Sequence, residues 1–237
     1  MNFKPIFGFI AGAFLALNLN ASTIKKGELI VATEGTYSPY SFYDEKGELV
    51  GYDVDIARAV AQKLNLKVEF LTAPWDAMLA AFDAGKADVV FNQVSINEDR
   101  KKKYDMSVPY TMPYPVIVVH KDNNDIKSFA DLKGKKSVHS ATSNWAAIAE
   151  KNGATVVVAD GFSKGVELII SKRADDTIND NVTFFDYIKQ RPNAPLKIAY
   201  TSNEPMPTAA LLKKGNTELL EAINKALNEL KAEGKIS

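Results

Sequence analysis

Short apolar runs alternate with segments of helical periodicity along most of this chain of 237 residues. Residues 28–33 (ELIVAT) and 87–94 (ADVVFNQV) are typical of strands, because each is a short run rich in apolar and β-branched side chains. Residues 54–64 and 217–232 instead place apolar side chains at helical spacing. Strands that alternate with helices predict an α/β fold with open, mostly parallel sheets covered on both faces.

Two such strand–helix series of similar size are separated by stretches that contain prolines. The first stretch lies around residues 109–115 and the second covers residues 200–208. Because proline interrupts both strands and helices, these stretches are expected to be connections. We therefore predict two lobes, with the chain leaving the first lobe and later returning to it.

The first 21 residues differ in character from the rest of the chain. Lys4 precedes an apolar run over residues 6–17, and Ala21 provides a small residue at a cleavage point. This pattern predicts a cleaved signal peptide over residues 1–21, and the alternative is an N-terminal membrane anchor. Without any cysteine, the chain can form neither a disulfide nor a lipid anchor on cysteine. Export without disulfides is compatible with a bacterial periplasm.

The sequence contains no motif of a nucleophilic enzyme and no set of metal ligands. It has neither a Gly-x-Ser-x-Gly elbow nor a glycine-rich phosphate loop. The two histidines, His120 and His139, lack the spacing of a metal site. The 29 basic and 29 acidic residues balance, so the charge gives no reason to expect a nucleic acid partner. We predict no cofactor and no metal.

Several polar residues follow predicted strands, where open α/β sheets place their ligands. Arg100 comes soon after strand 87–94 and could grip a carboxylate, although it could equally be a surface residue beside a run of lysines. Thr142 and Ser143 open a helix and suit an anion, or simply cap that helix. Asp180 could accept hydrogen bonds from an ammonium group, or cap a helix.

Two aromatic residues, Tyr37 and Trp75, occupy loops after strands and either cover a ligand or pack in the core. Taken together, the two halves provide a cation, a helix start, a carboxylate and aromatic rings. A free amino acid needs this combination, because burying either of its charges without a partner costs several kcal/mol.

The sequence resembles the amino-acid-binding solute-binding proteins of ABC importers (family 3) over nearly all of the chain after residue 27. The segments that carry this resemblance are GYDVDI at 51–56, GTYSPY at 35–40, WDAML at 75–79, NQVSI at 92–96, DRKKKYD at 99–105, TSNW at 142–145 and INDN at 178–181. The last four segments are most similar to the cystine- or cysteine-binding branch.

This resemblance implies a two-lobed periplasmic-binding-protein fold (type II), with two open mixed sheets joined by two hinge strands. Lobe 1 would comprise residues 22–111 and 202–237, lobe 2 would comprise residues 112–201, and the ligand would lie in the cleft between them. It also implies a contact for each matching position. Arg100, Thr142 and Ser143 would hold the ligand carboxylate, Asp180 the ammonium group, Tyr37 and Trp75 the side chain, and Gln93 and Ser95 the remaining polar groups.

The implied protein is a monomer in the periplasm that passes a free L-amino acid to an ABC permease in the inner membrane. Two features depart from the family pattern: Asp176 stands where a small residue is usual, and the chain stops at Ser237 where relatives continue into a further helix. An alternative is an enzyme on the same fold, similar to cyclohexadienyl dehydratase, for which Glu34 and Asp180 are the candidate general acids. A sensor domain of a membrane receptor is disfavoured because no apolar span follows the domain.

Overall fold

The computed structural model describes residues 22–236, so the predicted signal peptide over residues 1–21 lies outside the described residues. Within this part of the chain, no helix is long and apolar enough to cross a membrane. The fold is built on two five-stranded mixed sheets and one small three-stranded sheet.

The first large sheet has the strand order β5-β1-β6-β13-β7. Its strands are β1 (Glu28–Thr33), β5 (Lys67–Thr72), β6 (Val89–Ser95), β7 (Tyr104–Met106) and β13 (Thr208–Lys213). Strand β1 runs parallel to β5 and β6, whereas β13 is antiparallel to β6 and β7. Helices α1 (Tyr52–Lys63), α2 (Trp75–Asp83), α3 (Glu98–Lys103) and α7 (Thr217–Ala232) belong to this half, as does the small sheet of β2 (Thr36–Tyr37), β3 (Ser41–Tyr43) and β4 (Leu49–Val50).

The second large sheet has the strand order β10-β9-β11-β8-β12. Its strands are β8 (Pro115–His120), β9 (Lys136–His139), β10 (Thr155–Val158), β11 (Asp176–Asp180) and β12 (Leu196–Thr201). Strands β10, β9 and β11 are parallel, and β8 is antiparallel to both β11 and β12. Helices α4 (Asn144–Lys151), α5 (Gly161–Ile170) and α6 (Asn181–Gln190) and a 3₁₀ turn (Phe129–Leu132) complete this half.

Each large sheet separates two hydrophobic cores, because its central strands are buried on both faces. In β1, Leu29 and Val31 pack into one core while Ile30 and Ala32 pack into the other. In the second sheet, Val116 and Val118 of β8 face one core while Ile117 and Val119 face the other. Near-continuous apolar strands with both faces covered are typical of parallel α/β sheets.

The chain crosses between the two sheets twice. It leaves the first sheet after β7, builds the whole second sheet from residues 115–201, and returns through β13. The two crossings meet where Thr111 forms an isolated antiparallel bridge with Thr208. The predicted α/β fold with two open mixed sheets is therefore confirmed.

Candidate functional site

A cavity lies between the two halves, at the carboxyl ends of their parallel strands. Its wall combines charged, polar and aromatic side chains from both sheets. The first half contributes Glu34, Tyr37, Trp75, Asn92, Gln93 and Arg100. The second half contributes Val138, His139, Ser140, Ser143, Asn144, Trp145, Gly161, Phe162, Thr177, Ile178 and Asn179. This mixture of charged, polar and aromatic side chains is typical of small-molecule sites.

Arg100 presents a positive charge to the cavity. Helix α3 begins at Asn97, whose side chain accepts a hydrogen bond from the Arg100 backbone N–H at 2.9 Å. The guanidinium donates from Nη1 to the Ser95 carbonyl oxygen at 2.9 Å and stacks 5.3 Å from the centre of the Trp75 ring. Within residues 22–236, no carboxylate lies within 4.0 Å of it, and burial lowers its pKa to about 10. The remaining N–H donors suit an anionic ligand group.

Ser143 and Thr142 have different surroundings, although they are adjacent. Ser143 lines the cavity and caps α4, where its Oγ accepts a hydrogen bond from Ala146 N–H at 3.1 Å. Thr142 is not part of the cavity wall. Its hydroxyl donates to Asp76 at 2.5 Å and accepts from Trp75 Nε1 at 3.0 Å, so it connects the two halves.

Asp180 is buried behind the cavity wall and caps α6. Its carboxylate accepts hydrogen bonds from the hydroxyls of Tyr37 at 2.8 Å, Tyr40 at 2.9 Å and Thr183 at 2.8 Å, and from Thr183 N–H at 2.8 Å. The Tyr37 hydroxyl also lies 2.9 Å from the Asn179 side-chain oxygen. The structure thus does not bring Asp180 to the cavity surface beside Arg100, and the two predicted charges are separated by Tyr37.

Gln93 and Ser95 lie on the same strand, β6, and only Gln93 lines the cavity. Gln93 has a positive φ of 48°, which is unusual for a residue with a side chain. Its amide donates to Asp53 at 2.7 Å and accepts from the hydroxyls of Thr111 at 2.6 Å and Thr208 at 3.2 Å. Gln93 therefore ties the cavity to both crossings. Ser95 takes part through its carbonyl oxygen, which holds Arg100.

Glu34 is a second ionisable group on the wall; the sequence analysis named it only as a candidate general acid of the alternative enzyme, not as a ligand contact. It directly follows β1 and is 8% exposed. Asn92 donates from Nδ2 to its carboxylate at 2.7 Å, and burial raises the pKa of Glu34 to about 7. No lysine, arginine or histidine of the described chain forms an ion pair with it.

The wall residues that were not predicted as ligand contacts include Asn92, His139, Trp145 and Phe162. Asn92 is fully inside a strand and fixes the loop after β1, because its side-chain oxygen accepts from Glu34 N–H at 2.9 Å. Trp145 and Phe162 add aromatic surface at the starts of α4 and α5. Sequence patterns treat such positions as ordinary core or helix residues.

Direct hydrogen bonds hold the two halves together around the cavity. Besides the contacts of Tyr37 and Tyr40 with Asp180, the Ser38 hydroxyl donates to Asp186 at 2.7 Å. Asp76 accepts from the backbone N–H groups of Ala141 at 3.0 Å and Thr142 at 2.9 Å. The structure is therefore closed around the cavity.

Known proteins are similar to this chain in sequence and in fold. A probable amino-acid ABC transporter-binding protein from Haemophilus influenzae is 46% identical over 212 residues, which cover 90% of this chain and 82% of that protein. Two solved structures are each 43% identical. An ancestral arginine-binding protein bound to arginine gives a TM-score of 0.81 over 88% of this chain and 94% of that chain. The L-cystine solute receptor of Neisseria gonorrhoeae, in its unliganded open conformation, gives 0.58 over 92% of both chains.

At equal sequence identity, the ligand-bound relative superposes better than the open one, which agrees with the hydrogen bonds between the two halves. A family model also matches residues 29–237, which is nearly all of the described chain. The cavity, the two lobes and this match lead to one conclusion: the chain belongs to the bacterial extracellular solute-binding proteins, family 3.

Proposed function

We propose that this protein binds a free amino acid with a positively charged far end, L-cystine being favoured, and delivers it to an ABC importer. The observation that carries the proposal is a cavity lined by two ionisable groups of opposite sign, Arg100 and Glu34, neither of which has an ion-pair partner among residues 22–236. A buried charge is stabilised only when an opposite charge reaches it. The ligand that satisfies both groups carries a carboxylate and a cation.

L-Cystine has an amino-acid group at each end of a disulfide, so one molecule provides two carboxylates and two ammonium groups. In this proposal Arg100 holds one carboxylate, with Ser143 at the start of α4 beside it. Glu34 pairs with an ammonium group of the other end. The apolar disulfide in the middle packs against the rings of Trp75 and Phe162, which are cavity residues. The cystine receptor of Neisseria gonorrhoeae, at 43% identity, supports this choice of ligand.

The same proposal covers the roles of the remaining predicted residues. Asp180 and Asn179 receive the first ammonium group when Tyr37 moves its hydroxyl aside, and Gln93 keeps both crossings in register with the cavity.

Lobe 1 comprises residues 22–111 and 202–237, and lobe 2 comprises residues 112–201. Binding involves no bond chemistry, and the protein acts as a periplasmic monomer that docks on a permease in the inner membrane.

A thermal-shift and calorimetric panel of L-cystine, L-cysteine, L-glutamine and L-arginine tests the proposal. Ligand at 100 times its Kd stabilises the folded state by about 2.7 kcal/mol, which raises Tm by roughly 5–10 °C for a chain of this size. We expect the largest shift with L-cystine. If none of the four amino acids shifts Tm, the proposed function is wrong.

Substitution of Glu34 identifies the end of the ligand that this residue contacts. We expect Glu34→Gln to weaken L-cystine and L-arginine while leaving L-cysteine and L-glutamine nearly unchanged, because only the first two carry a cation at the far end. Glu28→Gln is the matched control, since Glu28 begins the same strand and lies outside the wall of this cavity. Equal weakening of all four ligands would contradict the assignment of Glu34.

A further inference from the structure

A chain of hydrogen bonds leads from the cavity into the core of the second half through three polar side chains. His139, at the end of β9, lines the cavity, and its Nε2 lies 2.8 Å from the Ser137 hydroxyl. The same hydroxyl lies 2.5 Å from Oδ1 of Asp176 on the neighbouring strand β11. Ser137 and Asp176 are completely buried and His139 is 6% exposed. We name this set the Asp176–Ser137–His139 relay.

The outer atoms of the relay have no other partners within residues 22–236. Oδ2 of Asp176 is buried without a hydrogen bond, and no hydrogen bond is formed by Nδ1 of His139. Because Nε2 faces Ser137, Nδ1 is the ring nitrogen left for a molecule in the cavity that His139 lines. Burial lowers the pKa of His139 to about 3, so the ring stays neutral and carries one proton on one nitrogen.

A serine hydroxyl has a single proton, so Ser137 can donate to only one of its two neighbours. When Asp176 is ionised, Ser137 donates to the carboxylate, and Nε2–H of His139 must donate to Ser137. Nδ1 is then a bare acceptor. When Asp176 is protonated, its proton sits on Oδ1, because Oδ2 has no acceptor within reach. Ser137 then donates to Nε2, and Nδ1 of His139 carries the proton.

We propose that Asp176, acting through Ser137, sets the tautomer of His139 and so decides whether the cavity wall offers a ligand a hydrogen-bond acceptor or a donor. Asp176 is thus a positioning residue that influences ligand choice without touching the ligand. This role also accounts for a carboxylic acid at position 176, where the family resemblance leads one to expect a small residue.

The Asp176 carboxyl gains or loses its proton in the neutral pH range, because burial raises its pKa to about 7. Two charged groups act directly on Asp176: Asp175 raises this pKa and Lys135 lowers it. Helices α4 and α5, which cover the two faces of the sheet, carry their charges on exposed positions, and β8 places the apolar Val119 opposite Asp176. The charged and titratable groups of these elements and of the cavity are Glu150, Lys151, Lys164, Glu167, His120, Glu34 and Arg100.

Nitrogen NMR of the imidazole rings tests the relay directly, and it needs no ligand. The chain has two histidines, so His120→Gln leaves His139 as the one labelled ring. From pH 8.5 to pH 5.5 we expect His139 to change from the Nε2–H to the Nδ1–H tautomer with a midpoint near 7, while remaining neutral. A ring that keeps one tautomer throughout, or that becomes an imidazolium, would overturn the proposal.

Three substitutions separate the relay from a general effect on folding. Asp176→Ala and Ser137→Ala each break the relay, so the tautomer of His139 should no longer depend on pH. Asp175→Asn is the matched control: it should keep the change, because the Asp175 carboxylate accepts a hydrogen bond from Lys136 N–H outside the relay, but with a midpoint at lower pH, because the Asp175 charge raises the pKa of Asp176. A pH-dependent tautomer that survives in Asp176→Ala would refute the role of Asp176.

The effect on ligand choice rests on the proposed function and is measured by calorimetry with L-cystine at pH 6 and pH 8. We expect the ratio of the two Kd values to differ about 5- to 10-fold between the wild type and Asp176→Ala, which corresponds to one hydrogen bond. An identical ratio would show that the ligand does not use Nδ1. If L-cystine binds neither protein, the proposed function fails, and the NMR result still decides whether the relay operates.

Discussion

Replacing Arg100 by methionine should have opposite effects on stability and on binding. In the structure the Arg100 guanidinium has one hydrogen bond, to the Ser95 carbonyl, and no carboxylate partner among the described residues. Burial lowers its pKa from 12.5 to about 10, which corresponds to about 3 kcal/mol of lost stability for the charged form. Because a folded-state pKa below the unfolded value penalises the charged form, this cost is present at every pH below about 10.

The methionine variant removes this cost and keeps an apolar side chain against Trp75. The lost hydrogen bond and the lost stacking on the Trp75 ring offset about 1–2 kcal/mol of the gain. We therefore expect Arg100→Met to raise the free energy of unfolding of the ligand-free protein by about 1–2 kcal/mol. Ligand binding should weaken by at least about 30-fold, because a buried carboxylate that loses its guanidinium costs about 2–5 kcal/mol.

Urea denaturation without ligand at pH 7 measures the first effect, and calorimetry with L-cystine measures the second. Lys102→Met is the matched control, since Lys102 lies on the same helix, is exposed, and pairs with Asp99 at 2.9 Å. Its effect on stability should stay within about 0.5 kcal/mol, with no change in affinity. A less stable Arg100→Met protein, or one that keeps its affinity, would refute the view that Arg100 lacks a carboxylate partner in the protein and receives one from the ligand.

Three further predictions concern groups buried around the cavity. Urea titrations should show that the unfolding free energy of Asp176→Asn, taken relative to that of the wild type, rises by about 4 kcal/mol from pH 4 to pH 8. The reason is that the wild type loses stability as pH rises towards the raised Asp176 pKa of about 7. Tyr37→Phe removes a hydrogen bond to buried Asp180, worth about 1–3 kcal/mol, so X-ray scattering should show a larger radius of gyration without ligand. Gln93→Leu leaves the carboxyl of Asp53 without its amide donor, and denaturation should show a loss of at least about 2 kcal/mol; no loss would contradict the role of Gln93.

The sequence predicted those elements whose own side chains determine them. Helix α7 was predicted over Thr217–Ala232 and is found there, because its apolar stripe packs against the first sheet. Helix α6 (Asn181–Gln190) was not predicted, because its first turns are rich in β-branched and aromatic residues that favour strands. Its start is fixed by Asp180, whose carboxylate accepts a hydrogen bond from Thr183 N–H.

Contacts between distant parts of the chain explain where the site could not be predicted. The Asp53 carboxylate, in the first turn of α1, accepts a hydrogen bond from Gln93, forty residues away. Thr142 was expected at the ligand but bonds to Asp76, sixty-six residues away. No local pattern contains such partners. The strand ends did locate Arg100 and Ser143 on the wall, because that rule follows from sheet topology.

The unpaired charges also explain how binding and closure are coupled. A ligand shifts an open–closed equilibrium only by its difference in affinity for the two states. Closure buries Arg100 and Glu34, and burial alone disfavours the charged forms of both, as the lowered pKa of Arg100 and the raised pKa of Glu34 indicate. A ligand that pairs with both groups removes this penalty in the closed state alone, because the open state leaves them in water. The hydrogen bonds of Tyr37 and Tyr40 to Asp180 favour closure even without ligand, so the charges on the wall make full closure depend on the correct ligand.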